Sequence, residues 1–283
     1  MVRADRGLLK LRAGEIRWGG RTYIMGILNV TPDSFSGDGL VDTRAATAHA
    51  VAQWNAGADI LDVGGESTRP GHHRIDDAAE IARVVPVIEA LSERLAKAPI
   101  SIDTYKPVVA RAARAAGAEI VNSVWGASDE LLDVVAELRM PIVAMHNQIG
   151  TAYEGCVVDE VLRYLEDCAI RATARGITPE RIVLDPGIGF GKTADQNLAV
   201  LRALPRFVAL GFPTMVGTSR KSTIGKLTGR EPMERIHGSV ATTALAVSAG
   251  IDMVRVHDVA AARDAVAVAD AIVRDWRPAG WIG

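Results

Sequence analysis

Apolar, β-branched runs return along this chain at intervals of roughly 30 residues, the length of a β–α unit. They are Tyr23 to Leu28, Asp59 to Val63, Ile100 to Ile102, Glu119 to Val121, Ile142 to Met145, Ile182 to Leu184, Thr214 to Val216 and Met253 to Val256. Short continuous runs of this kind predict strands buried on both faces. The segments between them keep a helical rhythm. After Asp76 and Asp77, the residues Ile81, Val84, Val85, Ile88, Leu91 and Leu95 recur at three- and four-residue steps, predicting a helix with a carboxylate cap. Pro86 interrupts it and predicts a kink or two shorter helices. Val158, Val161, Leu162, Leu165 and Ala169 predict another helix, stopped at Gly176. Asp42 to Gly57 and Lys106-Pro107 to Gly117 repeat the same grammar of cap and stop.

Alternating units of this kind predict parallel strands joined by right-handed crossovers. Eight of them, the last near the end of the sequence, predict an α/β fold: a single closed (β/α)8 TIM barrel, not an open doubly wound sheet. The expected domain therefore spans 1–283, with 1–22 as an N-terminal extension. There Leu8-Leu9-Lys10-Leu11 and Glu15-Ile16-Arg17-Trp18, on either side of Gly14, predict a small β-hairpin plugging the N-terminal end of the barrel.

Composition narrows the classes. The 283 residues carry 32 Lys+Arg against 34 Asp+Glu, a balance of −2, and 48% are hydrophobic. Disordered, collagenous and disulfide-scaffold chains are excluded. Without a basic excess, neither nucleic acid nor an anionic membrane is expected as the main partner, so any anion must be met by a few placed groups. Two cysteines, Cys156 and Cys168, are read as inert packing within one helix. Reduced thiols, the lack of a signal-like segment and the lack of a membrane-length apolar run predict a cytoplasmic location.

The chemistry-bearing residues gather where a barrel puts its active site, on the loops leaving the C-terminal ends of the strands. The first strand runs into Asn29-Val30-Thr31-Pro32-Asp33-Ser34-Phe35-Ser36, the second into Asp62-Val63-Gly64-Gly65-Glu66-Ser67-Thr68-Arg69-Pro70-Gly71. Later strands end in Asp103-Thr104, Asn122-Ser123, Met145-His146-Asn147, Asp185-Pro186-Gly187, Gly217-Thr218-Ser219-Arg220-Lys221 and Arg255-Val256-His257. Any one aspartate there can be a helix cap, but caps alone do not explain polar groups at all eight ends. Asn29, Ser67 or Thr68, Arg69, Arg255 and His257 form a candidate anion site. Asp103, Asn122 and Asp185 offer acceptors and an amide to a flat heterocycle with N–H and amino donors, and Phe35 and Phe190 can wall an aromatic substrate. Gly187 to Lys192 has the composition of a phosphate loop without its Gly-Lys-Ser/Thr spacing, and His72-His73 lack a third metal ligand. His146 is read either as catalytic or as a strand-end histidine held by backbone.

The segments Met25-Gly-Ile-Leu-Asn-Val-Thr-Pro-Asp-Ser-Phe-Ser36, Asp62-Val-Gly-Gly-Glu-Ser-Thr-Arg-Pro-Gly71, Ser101-Ile-Asp-Thr104, Asp185-Pro-Gly-Ile-Gly-Phe-Gly-Lys192, Ser219-Arg-Lys-Ser222 and Arg255-Val-His-Asp258 resemble, in order, those of the dihydropteroate synthases. The resemblance implies a transferase of folate biosynthesis that joins 6-hydroxymethyl-7,8-dihydropterin diphosphate to p-aminobenzoate, giving 7,8-dihydropteroate and pyrophosphate. It implies that Asp103, Asn122, Asp185 and Lys221 hold the pterin, with Asp103, Asp185 and Lys221 as the catalytic set. Asn29 would bind Mg²⁺ with the diphosphate, whose oxygens fall to Arg69, Arg255 and His257. Thr68, Pro70, Phe35, Phe190, Ser219 and Lys221 would form the p-aminobenzoate pocket, with Met145 and Asp62 completing the substrate-binding residues. Sulfonamides are then expected as p-aminobenzoate mimics, and a homodimer as the assembly; the last helices, with Val266, Val268, Ile272 and Val273, suit an interface or the barrel wall equally.

Two positions depart from the usual pattern: Asn122-Ser123 replaces a frequent Asn-Asp, and Ser36-Gly37-Asp38-Gly39 replaces Ser-Asp-Gly-Gly. A pterin-binding methyltransferase and a catalytically silent relative are the alternatives. The methyltransferase has no need of Ser67-Thr68-Arg69-Pro70 or Ser219-Arg220-Lys221, and the intact diphosphate residues speak against a silent relative.

Overall fold

The computed structural model describes residues 6–12, 14–31, 42–67 and 74–282. Strands β1 (Leu8–Leu11) and β2 (Gly14–Arg17) form an antiparallel hairpin. The remaining strands are β3 (Tyr23–Asn29), β4 (Ile60–Gly64), β5 (Ile100–Asp103), β6 (Ile120–Ser123), β7 (Ile142–Met145), β8 (Ile182–Asp185), β9 (Met215–Val216) and β10 (Met253–Val256). They pair in parallel in the order β8-β7-β6-β5-β4-β3-β10-β9. A parallel bridge from Leu184 in β8 to Thr214, just before β9, joins the two edges. The barrel is closed, as the eight runs predict.

Each strand is followed by helix: α1 (Thr43–Asn55), α2 (Asp77–Arg94), α3 (Pro107–Ala116), α4 (Asp129–Glu137), α5 (Val157–Ala174), α6 (Ala194–Arg202), α7 (Leu204–Val208), α8 (Ser222–Thr228), α9 (Ile236–Ser248) and α10 (Val259–Val273). The carboxylate caps form as expected, Asp42 accepting from the Ala45 N–H and Asp76 from the Ala79 N–H. One helix runs through Pro86, so the two-helix alternative does not hold; Val84, Val87, Ile88 and Leu91 around the proline are all buried. Packing of that face against the sheet outweighs one missing N–H. Of the cysteines, Cys168 is buried in α5, but Cys156 is exposed at the residue before it, which corrects the reading of both as packing. None of the helices among the described residues is long and apolar enough to cross a membrane.

Inward positions follow the two-residue period of a strand and divide into two layers. The lower layer is apolar: Tyr23, Met25, Ile60, Ile120, Val143, Val183, Met215 and Met253 form one cluster with Leu9, Ile16 and Trp18 of the hairpin. Two residues further along β4, β6, β8 and β10 the inward positions become polar, with Asp62, Asn122, Asp185 and Arg255, and Asp103 at the end of β5 and Asn29 at the end of β3 lie at the same end. The hairpin thus plugs the N-terminal end. Asp252 anchors it by accepting from the Gly19 N–H at 3.0 Å, and Trp18 donates its indole N–H to the Glu180 carbonyl at 2.9 Å.

Trp18 is 2% exposed, so Trp18→Ala removes the largest side chain of the plug. It is expected to cost about 3–5 kcal/mol, read as a lower urea midpoint in equilibrium unfolding.

Candidate active site

The upper layer of the barrel is held together by one guanidinium. Arg255 Nε donates to Asp62 Oδ2 at 2.6 Å and its Nη2 donates to Asp103 Oδ2 at 2.7 Å. The register explains the meeting: Gly64 of β4 pairs with Asp103 of β5, which pairs with Asn122 of β6, so the three strands present inward groups at neighbouring heights. Asn122 donates its amide to the same Asp62 oxygen at 2.9 Å. Asp62, whose role the sequence leaves least defined, is the fully buried hub of the cluster.

Hydrogen bonding inside the cluster is incomplete. Asp62 Oδ1, Asp103 Oδ1 and Asn122 Oδ1 are buried and make no hydrogen bond. Buried acceptors that no protein group meets are open to donors from a ligand, each costing about 1–3 kcal/mol if left unpaired. Burial and the neighbouring Asp62 push the Asp103 carboxyl up to about 7, although Arg255 opposes them. Burial raises Asp185 as well, against the pull of Lys221 and of the Gly187 N–H, which donates to Asp185 Oδ1 at 2.8 Å.

Lys221 approaches from the loop after β9. Its ammonium donates to the Ile188 carbonyl and lies 4.4 Å from the centre of the Phe190 ring, a cation–π contact. Burial and Arg255 lower its pKa to about 8, with Asp185 and Asp103 opposing. Beside it, Arg220 takes the left-handed conformation at φ 59°, rare for a non-glycine residue. Its guanidinium grips Asp258 through two nitrogens, and its carbonyl accepts from Arg235. That grip ties the loop after β9 to the loop after β10, and Ser219 makes a second tie: its Oγ accepts from the His257 N–H and lies 3.1 Å from His257 Nδ1.

The structure therefore brings Asp62, Asp103, Asn122, Asp185, Lys221, Phe190, Arg255, Ser219 and His257 to one end of the barrel. Asn29 closes β3 at the same end, half-buried, and Met145 closes β7 behind Gly187, where an added Cβ would come 3.3 Å from its Cγ. Phe35, Thr68, Arg69 and Pro70 lie outside the described residues, as do His72 and His73. Several participants escaped the sequence reading. Lys106 forms buried ion pairs with Glu66 at 2.7 Å and Glu80 at 2.8 Å and also donates to the Ile75 carbonyl. Lys192 turns inward to His146 Nδ1 at 2.9 Å, so it is not a phosphate-loop lysine, and His146 is held both by Lys192 and by backbone, its N–H donating to the Asp185 carbonyl at 2.9 Å. Their signal in the sequence is only a lysine near a strand end, because each partner comes from a different β–α unit.

The raised Asp103 has a consequence for stability. Its folded pKa lies above the unfolded value, so the native state holds the extra proton and stability falls as pH rises from about 4 to about 7. Asp103→Asn is expected to flatten that slope and to be more stable than the parent at pH 8. Urea unfolding at a series of pH values measures it, and an unchanged slope would contradict the assignment.

Comparison with known proteins agrees with the geometry. Residues 25–257 match the family of pterin binding enzymes. The chain is 45% identical over 270 residues to the dihydropteroate synthase of Clostridium beijerinckii, covering 94% of this chain and all of that one. Among solved structures, dihydropteroate synthase from Clostridium difficile, crystallised in the presence of pteroic acid, superposes with a TM-score of 0.88 at 46% identity, covering 91% of this chain and 98% of that one. The Yersinia pestis enzyme in a sulfonamide drug complex superposes equally well, at 0.88 and 35% identity over 95% of this chain and 100% of that one. With a family match across most of its length and relatives of this identity, the chain belongs to the dihydropteroate synthases of the pterin-binding enzyme family.

Proposed function

We propose that the barrel mouth condenses 6-hydroxymethyl-7,8-dihydropterin diphosphate with p-aminobenzoate, releasing pyrophosphate. The observation that carries this reading is the row of buried, unmet acceptors on Asp62, Asp103 and Asn122. A pterin edge presents adjacent ring N–H and amino donors, the complement of that row. Asp185, across the mouth, accepts from the other end of the ring, and Lys221 donates to its carbonyl or ring nitrogen.

The same residues suit a dissociative substitution. The C–O bond to the diphosphate breaks first, the electron pair leaving with pyrophosphate. Asp103 and Asp185 stabilise the cation left on the pterin methylene in a site where water cannot screen them. The arylamine nitrogen then attacks with its lone pair and loses its proton afterwards, so no strong general base is required. Phe190 and Lys221 form one wall for the arylamine ring, with Ser219 nearby; Thr68, Pro70 and Phe35 complete the pocket in this reading. Arg255 and His257, with Arg69, receive the diphosphate. Arg255 retains Nη1 for that purpose while its other nitrogens stay on Asp62 and Asp103.

Mg²⁺ fits the residues present. No group of three His, Cys, Asp or Glu able to hold a metal exists among the described residues, so a closed protein cage is absent from them. A single amide oxygen, that of Asn29 at the end of β3, matches an ion that keeps its waters and takes substrate phosphates as ligands. When bound, Mg²⁺ supplies charge neutralisation to the departing pyrophosphate. The test is pyrophosphate release by the purified chain. It is expected only with both substrates and Mg²⁺ present, and release independent of p-aminobenzoate would overturn the reading.

Sulfonamides enter the same pocket as alternative arylamines, and discrimination rests on contacts worth about 1–3 kcal/mol. A homodimer and a cytoplasmic location belong to this proposal too. Val266 is 1% exposed and belongs to the barrel wall, whereas Val268, Ile272 and, on α9, Leu245 are 61%, 78% and 68% exposed, an apolar face suited to a second copy. Sedimentation is expected to give a dimer for the parent chain and a monomer for Leu245→Glu/Ile272→Glu.

A further inference from the structure

The loop after β8 is built around a buried ammonium. Lys192 Nζ donates to the Gly187 carbonyl at 3.0 Å and the Phe190 carbonyl at 3.1 Å, and lies 2.9 Å from His146 Nδ1. When Lys192 is charged it can only donate, and Nδ1 then accepts with the imidazole proton on Nε2. Burial and the facing Lys192 hold His146 down to about 3, which keeps it an acceptor. The loop can wrap a cation because Gly187, Gly189 and Gly191 adopt φ of 70°, 82° and 56°. At Gly187 no side chain is possible, since a Cβ there would lie 1.9 Å from the His146 carbonyl oxygen. Tyr153 donates to the Gly191 carbonyl, and Asn197 accepts from the Gly189 N–H.

The same short loop carries two contacts to Lys221: the Ile188 carbonyl and the Phe190 ring. Phe190 thus gives its carbonyl to one lysine and its ring to the other.

We propose that Lys192 is a positioning residue for the arylamine half of the site. By gathering the carbonyls of Gly187 and Phe190 and leaning on neutral His146, it fixes where Phe190 and Ile188 meet Lys221. Burial lowers the pKa of Lys192 to about 7, with Asp185 opposing and Lys221 adding to the shift, so the two carbonyls and His146 are what hold the amine in place in either protonation state. This inference rests on the preceding assignment of Phe190 and Lys221 to the p-aminobenzoate pocket.

The test separates the two substrates. Lys192→Met is expected to raise KM for p-aminobenzoate by about tenfold or more, as small displacements of positioning groups do. KM for the pterin diphosphate should rise by less, because Asp62, Asp103 and Asn122 stand on other strands and only Asp185 and Lys221 of the pterin set adjoin this loop. His146→Leu, which removes the acceptor, is expected to share the defect. His146→Asn, whose side-chain oxygen can take the place of Nδ1, is expected to restore KM towards the parent value. The histidine pair carries the test by itself if Lys192→Met does not fold. A folded Lys192→Met with parental KM for p-aminobenzoate would overturn the proposal, as would an equal loss for both substrates or equal behaviour of the two histidine variants. A parent chain that releases no pyrophosphate would instead overturn the assigned reaction.

Discussion

A guanidinium seated between two buried carboxylates is the constraint on which the barrel mouth depends. Asp62 is fully buried and Asp103 nearly so, and two such charges side by side would drive one of them to take up a proton. Arg255 meets both through separate nitrogens, and Asn122 adds its amide to Asp62. The arrangement stops short of satisfying everything. One oxygen of each carboxylate, and the amide oxygen of Asn122, remain without donors. A purely structural cluster would close those gaps, since an unmet buried acceptor costs as much as a good hydrogen bond gains. Leaving them open sacrifices stability to keep a surface of acceptors in fixed positions, so a ligand brings the missing donors to a site that has little left to rearrange.

The rest of the barrel keeps that surface dry from below and framed from above. Below, the hairpin's Leu9, Ile16 and Trp18 merge with the apolar lower layer, so the polar groups are reached only from the C-terminal end. Above, buried lysines do the framing. Lys106 joins Glu66 and Glu80 and takes the Ile75 carbonyl, which fixes Glu66 and Ile75 on one side of the mouth. Lys192 does the same for the carbonyls of Gly187 and Phe190 on the other. A lysine suits this task because its ammonium has three donors to distribute, and each new partner offsets part of the cost of burying it.

The two-residue and three-to-four-residue rhythms carried most of the architecture: strands, helix caps and even the plugging hairpin follow from them. Pro86 shows the limit, since local chemistry suggested a break that the burial of Val84, Val87 and Ile88 overrode. For the site, the aspartates and Arg255 were legible because they stand at strand ends, and the barrel turns strand ends into neighbours. What the sequence did not contain was pairing. Arg255 reads equally as a phosphate ligand or as a partner for carboxylates, and only the registers from β10 through β3 to β4 and β5 bring it against Asp62 and Asp103. His146 and Lys192 are separated by more than a whole β–α unit, so no spacing rule links them.

That ambiguity over Arg255 bears on how the site handles charge. Arg255 is committed to carboxylates, Lys221 has its pKa lowered to about 8, and Asp103 is raised to about 7. Each shift has the same cause, burial, and each moves its group towards neutrality. A ligand with N–H donors at one end and a diphosphate at the other reverses both tendencies. Donors placed on Asp103 favour its carboxylate, and an acceptor placed on Lys221 favours its ammonium. A nearly neutral chain, with charges that almost cancel overall, can then present strong local fields of both signs while the buried Asp62 and Asp103 each have an opposite charge beside them.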